Sequence, residues 1–189
     1  MRIEDTDALI VVDVQNDFCG GGALAVPQAE AVVTPINRIM GKFEHIVFSR
    51  DWHPEDHCSF SHRPEFRDGS WPPHCIQDTP GAEFRGDLRV PLDAYFIEKG
   101  TDPNVEQYSA FAVPGLAEWL RRRDVRQVYL AGLTMEYCVY HSSLDALKAG
   151  FSVVVVEDAV RAVAEESGRV AVEELRRAGV QFVRSVNIS

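Results

Sequence analysis

The chain has 189 residues, of which 29 are acidic and 19 are basic, so its formal net charge is −10 with histidine neutral. A hydrophobic content of 46% is enough to bury a core, which excludes an intrinsically disordered protein. The acidic balance argues against nucleic-acid and membrane-surface partners, because phosphate groups would be repelled. The one dense basic run, residues 121–123, closes a predicted helix, where cations complement the helix dipole.

Short apolar runs rich in β-branched residues alternate along the chain with segments of helical spacing. The predicted strands are residues 8–14, 45–48, 95–97, 127–130, 151–156 and 180–183, and the predicted helices are residues 29–40, 113–123, 136–149 and 167–178. Gly41, Gly150 and Gly179 follow three of these helices and are the expected C-terminal caps. The alternation predicts an α/β fold with three αβα layers around a mostly parallel, Rossmann-like sheet of about six strands.

No run approaches the ~18 consecutive apolar residues of a spanning helix, and acidic rather than basic residues precede the first apolar run. We therefore expect a cytoplasmic protein with a single domain over residues 1–189. Four cysteines, at positions 19, 58, 75 and 138, are expected to be reduced, because a chain with a substantial core does not need disulfide bonds. The oligomeric state stays open, with a homo-oligomer as one hypothesis.

One long segment, residues 50–91, interrupts the alternation. It has no sustained periodicity and is dense in proline, glycine, histidine and aspartate. Connections of this length are usually functional or disordered, and its five aromatic residues argue against disorder. The segment is therefore interpreted as an ordered loop that builds a site. Trp71 in this loop and Phe18 after the first strand are candidate pocket walls.

Chemically reactive side chains follow four of the predicted strands. Asp13 ends the first strand, Asp51 and His53 follow the second, Lys99 ends the third, and Cys138 begins the helix after the fourth. Ligands of open parallel sheets bind at the carboxyl ends of the strands, so we expect these side chains to meet. A thiol, an amine and a carboxylate together suit nucleophilic catalysis, with the carboxylate moving a proton to the leaving group.

Cys138 is the candidate nucleophile. A thiol in the first turn of a helix meets the positive end of the dipole, and a nearby amine would lower its pKa further. Taken alone, Cys138 would be interpreted as a small buried hydrophobic residue, and the neighbouring Asp13 and Lys99 favour the catalytic interpretation. His141 is a rival for the base, although a polar helix residue without a catalytic role is the favoured interpretation.

The loop also carries residues typical of metal ligands. Asp51 and His53 stand at i and i+2, so in an extended chain they point the same way, and His57, His62 and His74 follow. One carboxylate with two or three imidazoles suits Zn²⁺, Mn²⁺ or Fe²⁺ with open coordination positions. The spacing matches no structural zinc motif, and surface histidines without a metal are an equal alternative.

Five blocks of the sequence resemble one family of hydrolases. In chain order they read VVDVQNDFCGGGALAV, FSRDWHPEDHCSF, WPPHCIQDTPGAEF, EKGTDPNVEQYSAF and LAGLTMEYCVYHSSLDALKAGF. They resemble the nicotinamidase (pyrazinamidase) branch of the isochorismatase-like cysteine hydrolases from about residue 8 to residue 160. DxQNDF is shared across that superfamily, whereas DWH together with WPPHC is characteristic of the metal-dependent nicotinamidases.

The resemblance implies catalytic roles for three residues. Cys138 would be the nucleophile, Asp13 the proton acceptor and donor, and Lys99 the cation that holds both in register. It also implies a cis peptide bond between Leu133 and Thr134. The backbone N–H groups of Thr134 and Cys138 would then form an oxyanion hole.

Metal and substrate contacts are implied in the same way. Asp51, His53 and His74 would bind one divalent metal ion, with His57 as an optional further ligand. Zinc is its expected identity, and iron or manganese are the alternatives. The residues implied to contact the substrate are Phe18, Trp71, Thr134 and Tyr137, with Tyr108 as a further candidate.

The implied activity is hydrolysis of a small pyridine carboxamide, nicotinamide, to nicotinic acid and ammonia through a thioester, a step of NAD salvage. Pyrazinamide would be a second substrate. Two alternatives stay open, namely a superfamily hydrolase of N-carbamoyl amides or isochorismate, and a non-catalytic protein-binding module. The former generally lacks the metal site, and the latter normally lacks one member of the catalytic set.

Overall fold

A six-stranded parallel sheet forms the centre of the protein. In this computed structural model, which describes residues 1–66 and 69–189, the strands are β1 (Asp7–Val12), β2 (His45–Asp51), β3 (Tyr95–Lys99), β4 (Gln127–Leu133), β5 (Ser152–Arg161) and β6 (Gln181–Val183). Their spatial order is β3-β2-β1-β4-β5-β6, and every neighbouring pair is parallel. The predicted α/β fold with a Rossmann-like sheet is confirmed. Two residues of the predicted site-building loop, at positions 67 and 68, lie outside the described part of the chain.

Three of the four helices are shorter than the sequence predicts, and the last is one residue longer. They are α1 (Val33–Met40), α2 (Leu116–Arg121), α3 (Tyr140–Lys148) and α4 (Glu165–Arg177). Short 3-10 turns cover Asn16–Phe18, Ala29–Val32, Pro80–Ala82, Ala110–Ala112 and Ser185–Asn187, and a π-helical turn covers Met135–Val139. α2 begins late because Gly115, at φ 103°, has a left-handed conformation that a helix cannot include. No helix within the described residues is long and apolar enough to span a membrane.

Two apolar clusters cover the two faces of the sheet. Alternate β1 side chains divide between them, Leu9 and Val11 facing α1, and Ala8, Ile10 and Val12 facing α2, α3 and α4. This arrangement produces the predicted three layers, because both faces of a parallel sheet must be covered. Gly150 and Gly179 are the predicted left-handed caps, at φ 93° and 97°, whereas Gly41 ends α1 at φ −70°.

The strand order reverses between β1 and β4, which is where open α/β sheets bind ligands. Gly132 lets the two strand ends approach there. A Cβ on Gly132 would lie 1.9 Å from the carbonyl oxygen of Val12, and its φ of 121° also favours glycine. The residues that follow, Asp13 and Thr134, are therefore brought to one crevice.

Candidate active site

A cleft opens at this crevice. Four of the predicted reactive residues line it, namely Asp51, His53, His74 and Cys138. The other two, Asp13 and Lys99, lie beneath it and are completely buried. The convergence that the strand ends predict therefore occurs.

The Lys99 ammonium group lies at the centre of the buried charges. Its Nζ is 2.9 Å from Asp13 Oδ2 and 3.3 Å from Cys138 Sγ, and it also forms an ion pair with Asp51 Oδ1. Ser49 Oγ donates a 2.7 Å hydrogen bond to the other oxygen of Asp13. One cation thus holds two carboxylates and the thiol together, which offsets part of the cost of burying charge.

The surroundings set the protonation of these groups. Burial raises the pKa of the Cys138 thiol well above its ordinary value, and the attraction of Lys99 does not reverse this. Burial likewise raises the pKa of Asp13 against the opposing effect of Lys99. Burial opposes the charge on Lys99, but Asp13 and Asp51 outweigh it and raise its pKa well above the usual range. The thiol therefore carries its proton at rest, and a carboxylate with a raised pKa is suited to receive it.

The expectation that Cys138 has a lowered pKa at the start of an α-helix is wrong. Cys138 lies within the π-helical turn, ahead of α3, and a thiolate there would add a negative charge beside Asp13 and Asp51. His141 lies farther along, on α3, where its ring stacks on Tyr108 at 5.3 Å. A carboxylate oxygen of Asp13 lies within 4.8 Å of Cys138 Sγ, so the geometry favours Asp13 over His141 as the base.

Three residues of the cleft form a donor set for a metal ion. One ligand atom from each of Asp51, His53 and His74 lies within 4.8 Å of the others. His53 Nδ1 lies 3.0 Å from the carbonyl oxygen of Gly100, and His74 Nδ1 lies 2.8 Å from that of Pro72. Because carbonyl oxygens only accept hydrogen bonds, each Nδ1 carries a proton and each Nε2 is left to bind a metal.

The electrostatics of this set also suit a cation. Burial lowers the pKa of His74, which keeps its ring neutral and able to act as a ligand. Burial also opposes protonation of His53, but the adjacent carboxylate of Asp51 outweighs it and raises the pKa. A carboxylate that attracts a proton to a ring nitrogen 3.7 Å away will also attract a metal ion to that position.

His57 does not contribute to this set. Its Nδ1 lies 2.8 Å from Ser59 Oγ, and its Nε2 lies 3.3 Å from the carbonyl oxygen of Val105, so both ring nitrogens are engaged. Asp13, Asp51 and Cys138 also lie within 4.8 Å of one another. The Lys99 ammonium group already contacts all three of these side chains, so a second cation at this group would be repelled by it.

Aromatic side chains form the walls of the cleft. The predicted contacts Phe18, Trp71, Thr134 and Tyr137 all line it, as does Tyr108. Trp71 Nε1 donates a 3.0 Å hydrogen bond to Tyr108 Oη, and the Trp71 and Tyr137 rings meet edge to face at 4.9 Å. The peptide bond between Leu133 and Thr134 is cis, as the resemblance implies.

Gln15, a residue of the DxQNDF block for which no role is predicted, supports the end of the cleft that contains Asp51. Its side chain is fully buried and accepts a 2.8 Å hydrogen bond from the backbone N–H of Asp51. Its amide nitrogen donates to the carbonyl oxygens of Asp51 and Ala82, at 2.8 and 2.9 Å. A polar residue two positions after Asp13, next to a buried strand, is the signal that could have revealed this role.

Val163 and Glu106 also line the cleft without having been predicted. Val163 lies at the cleft because β5 continues to Arg161, beyond its predicted end at residue 156. Glu136, two residues before the nucleophile, accepts the N–H groups of Val163 and Ala164 at 2.9 and 3.1 Å. This contact ties the π-helical turn to the start of α4.

Comparisons with known proteins identify the family of the chain. Residues 7–186 match the Isochorismatase domain family. The nicotinamidase of Acinetobacter baylyi is 37% identical over 208 residues, covering 100% of this chain and 97% of that protein. The pyrazinamidase of Pyrococcus horikoshii, solved in complex with zinc, is 45% identical with a TM-score of 0.87, covering 95% of this chain and 99% of the other. PnC1 from L. infantum, solved with nicotinate, is 36% identical with a TM-score of 0.92, covering 100% and 98%. With its fold and its sequence in agreement, the chain belongs to the isochorismatase family of hydrolases.

Proposed function

We propose that this protein is a metal-dependent nicotinamidase, which hydrolyses nicotinamide to nicotinic acid and ammonia in NAD salvage and also accepts pyrazinamide. The observation that carries the proposal is the thiol of Cys138, 3.3 Å from Lys99 Nζ, in the same cleft as the Asp51, His53 and His74 donor set. The activities of the A. baylyi and P. horikoshii relatives support it.

The first half of the reaction forms a thioester on Cys138. Asp13 takes the thiol proton, and the sulfur attacks the amide carbon of the substrate. The backbone N–H groups of Thr134 and Cys138 hold the resulting oxyanion. Asp13 then returns the proton to the amide nitrogen, the C–N bond breaks and ammonia leaves.

The second half releases the acid and restores the thiol. Asp13 takes a proton from a water molecule, whose oxygen attacks the thioester carbon. The C–S bond breaks, the acid leaves, and the proton on Asp13 returns to sulfur. Lys99 stays charged throughout and stabilises whichever of its neighbours is negative, consistent with its raised pKa.

Asp51, His53 and His74 would hold the metal ion, and zinc is the identity that the P. horikoshii structure supports. When bound, a divalent ion supplies a Lewis acid that can take the pyridine nitrogen as a ligand and so orient the ring. Phe18 and Trp71 would flank that ring, because a flat aromatic substrate gains most from aromatic walls.

Two observations argue against the alternatives. The metal donor set is the feature that hydrolases of N-carbamoyl amides and isochorismate generally lack. The complete Asp13, Lys99 and Cys138 cluster, with all three residues buried and in contact, argues against a silent binding module.

The decisive experiment is ammonia release from nicotinamide by the purified protein. We expect Cys138→Ala to reduce turnover by at least about 10³-fold, because the nucleophile and its proton carrier act as a unit. Cys58→Ala is the matched control, since that thiol is exposed and outside the cleft, and it should keep wild-type turnover. Turnover by Cys138→Ala at the wild-type rate would contradict the mechanism, and absence of turnover by the wild type would contradict the assignment.

A further inference from the structure

The side-chain hydroxyl of Thr134 is buried beside the nucleophile without a partner. Within the described residues, two buried side-chain oxygens lack a hydrogen bond, Asp13 Oδ2 and Thr134 Oγ1. Asp13 Oδ2 still has the ammonium group of Lys99 at 2.9 Å, whereas Thr134 Oγ1 has neither a hydrogen bond nor an ion pair. Unsatisfied buried polar groups are rare in native proteins, so each one calls for an explanation.

The position of Thr134 points to a bound molecule as that explanation. The residue is 6% exposed and lines the cleft, four positions before Cys138. Its backbone is firmly held, because its carbonyl oxygen accepts hydrogen bonds from the N–H groups of Tyr137 and Val139, at 3.2 and 3.1 Å. The backbone that carries the hydroxyl is therefore held at the cleft, which pre-organises Thr134 to meet a ligand there.

We propose that Thr134 Oγ1 accepts a hydrogen bond from the N–H group of the carboxamide that is cleaved. The inference rests on the proposed function, since it concerns how that same site recognises its substrate. It assigns to the side chain of Thr134 a contact distinct from the oxyanion contact of its backbone N–H.

The amide nitrogen is the better partner for chemical reasons. A primary carboxamide has one oxygen, which accepts hydrogen bonds, and two N–H groups, which donate them. In the proposed mechanism the oxygen is met by the backbone N–H groups of Thr134 and Cys138, so the nitrogen still needs acceptors. The nitrogen becomes more positive as Asp13 protonates it, and a hydrogen bond from a charged donor is stronger. The contact with Thr134 therefore strengthens as ammonia departs.

This contact makes Thr134 a specificity residue for primary amides. A substrate analogue of the same shape that lacks the N–H group would leave the Thr134 hydroxyl without a hydrogen bond, and would gain no binding free energy from this residue's side chain. Sites built to hydrogen-bond a particular polar group discriminate strongly against analogues without that group.

The test compares wild type, Thr134→Val and Thr134→Ser in the metal-loaded enzyme. Valine keeps the shape of threonine and removes the hydroxyl, whereas serine keeps the hydroxyl. We expect Thr134→Val to lower kcat/KM for nicotinamide by about ten-fold, the loss of one good hydrogen bond, and Thr134→Ser to stay within about two-fold of wild type. Inhibition by nicotinaldehyde, which has the ring and the carbonyl group but no N–H, should be equal in all three.

The outcomes separate the inference from the function on which it rests. If wild type releases ammonia but Thr134→Val does so equally well, or if nicotinaldehyde inhibition weakens in parallel with kcat/KM, the hydroxyl does not bind the amide nitrogen. An equal loss in Thr134→Ser would show that shape is decisive and would also overturn the inference. If the wild type itself is inactive on nicotinamide, the proposed function fails and the inference fails with it. Thr134→Ala removes the same hydroxyl and takes the place of Thr134→Val if that variant does not fold.

Discussion

The two sides of the cleft are built by different means. The thiol side is defined as Asp13, Lys99 and Cys138. These residues are placed by the ends of β1 and β3 and by the π-helical turn, and all three are buried. On the histidine side, defined as Asp51, His53 and His74, only Asp51 belongs to a strand. The sheet therefore places the first group, whereas a loop must place most of the second.

The histidine side gains its order from backbone contacts. His53 and Ile76 form an isolated parallel bridge, in which the N–H of His53 donates to the carbonyl oxygen of Cys75 at 3.0 Å. The ring of His53 packs on Gly100, where a Cβ would lie 2.3 Å from it. Asp17 Oδ2 accepts the N–H of Cys75 at 2.7 Å. A site in a loop can thus be as well determined as one on strands, provided that main-chain groups hold it.

Because the two sides are built differently, they should be separable by mutation. They share the ion pair between Lys99 and Asp51, but their other supports differ. We expect changes on the histidine side to remove the metal, and changes on the thiol side to remove turnover while leaving the metal bound.

The largest expected effect on metal binding comes from His53→Ala and His74→Ala. Each removes one of three ligands. Losing a residue that only supports a ligand typically lowers metal affinity by about 10–100-fold, so the loss of a ligand should lower it further. Bound metal is measured by elemental analysis of the purified proteins, which also identifies the metal, expected to be zinc in wild type. Cys138→Ala is the matched control and should retain wild-type metal content. Unchanged metal content in both histidine variants would refute the assigned site.

An intermediate effect is expected from Gln15→Met. Methionine keeps the volume but removes the three hydrogen bonds that hold the backbone of Asp51 and Ala82. Metal affinity should fall by about 10-fold or more, as for other contacts that orient a ligand, while the Cys138 thiol stays in place. Titration of the metal-free protein with zinc measures the dissociation constant.

Gln77→Met is the matched control for this effect. Gln77 also bonds to the backbone in this region, donating to the carbonyl oxygen of Trp52 at 2.9 Å, but it does not contact Asp51. It should leave zinc affinity closer to wild type than Gln15→Met does, because its half-buried side chain makes one hydrogen bond to the backbone rather than three. Equal zinc affinity in Gln15→Met and wild type would show that the loop holds Asp51 without Gln15.

The smallest expected effect is that of Tyr108→Phe. It removes the acceptor of the Trp71 N–H, so the indole ring is held less firmly, while the thiol side and the histidine side of the cleft stay intact. Burial raises the pKa of Tyr108 to about 12, so the hydroxyl is protonated and neutral in the wild type near pH 7. KM for nicotinamide should rise by about three-fold, in line with the net value of one hydrogen bond, with kcat little changed. Tyr140→Phe, which loses a bond to Glu174 outside this cleft, should have no effect on KM, and a fall in kcat for Tyr108→Phe would contradict a role limited to binding.

The sequence by itself determined the fold class and most of the reactive residues. Apolar runs of strand length, alternating with helical periodicity, predict a parallel sheet because only buried strands are apolar on both faces. The charged residues that end those runs, such as Asp13 and Lys99, stand out because burying a charged side chain costs free energy. A charge retained next to a buried strand therefore indicates a function. The loop residues His53 and His74 were found from their types and from the resemblance.

The tertiary structure alone decided what these residues experience. The pKa of Cys138 is raised rather than lowered, because burial and two carboxylates outweigh one lysine, and no local pattern encodes that balance. Which histidines can bind a metal depends on partners distant in the chain, such as the Val105 carbonyl that engages His57 and the Gly100 carbonyl that orients His53. Likewise, the unpartnered hydroxyl of Thr134 is visible only once its neighbours are in place. Residue types follow from local pattern, whereas protonation, ligand geometry and unmet hydrogen bonds arise from contacts between segments far apart in the sequence.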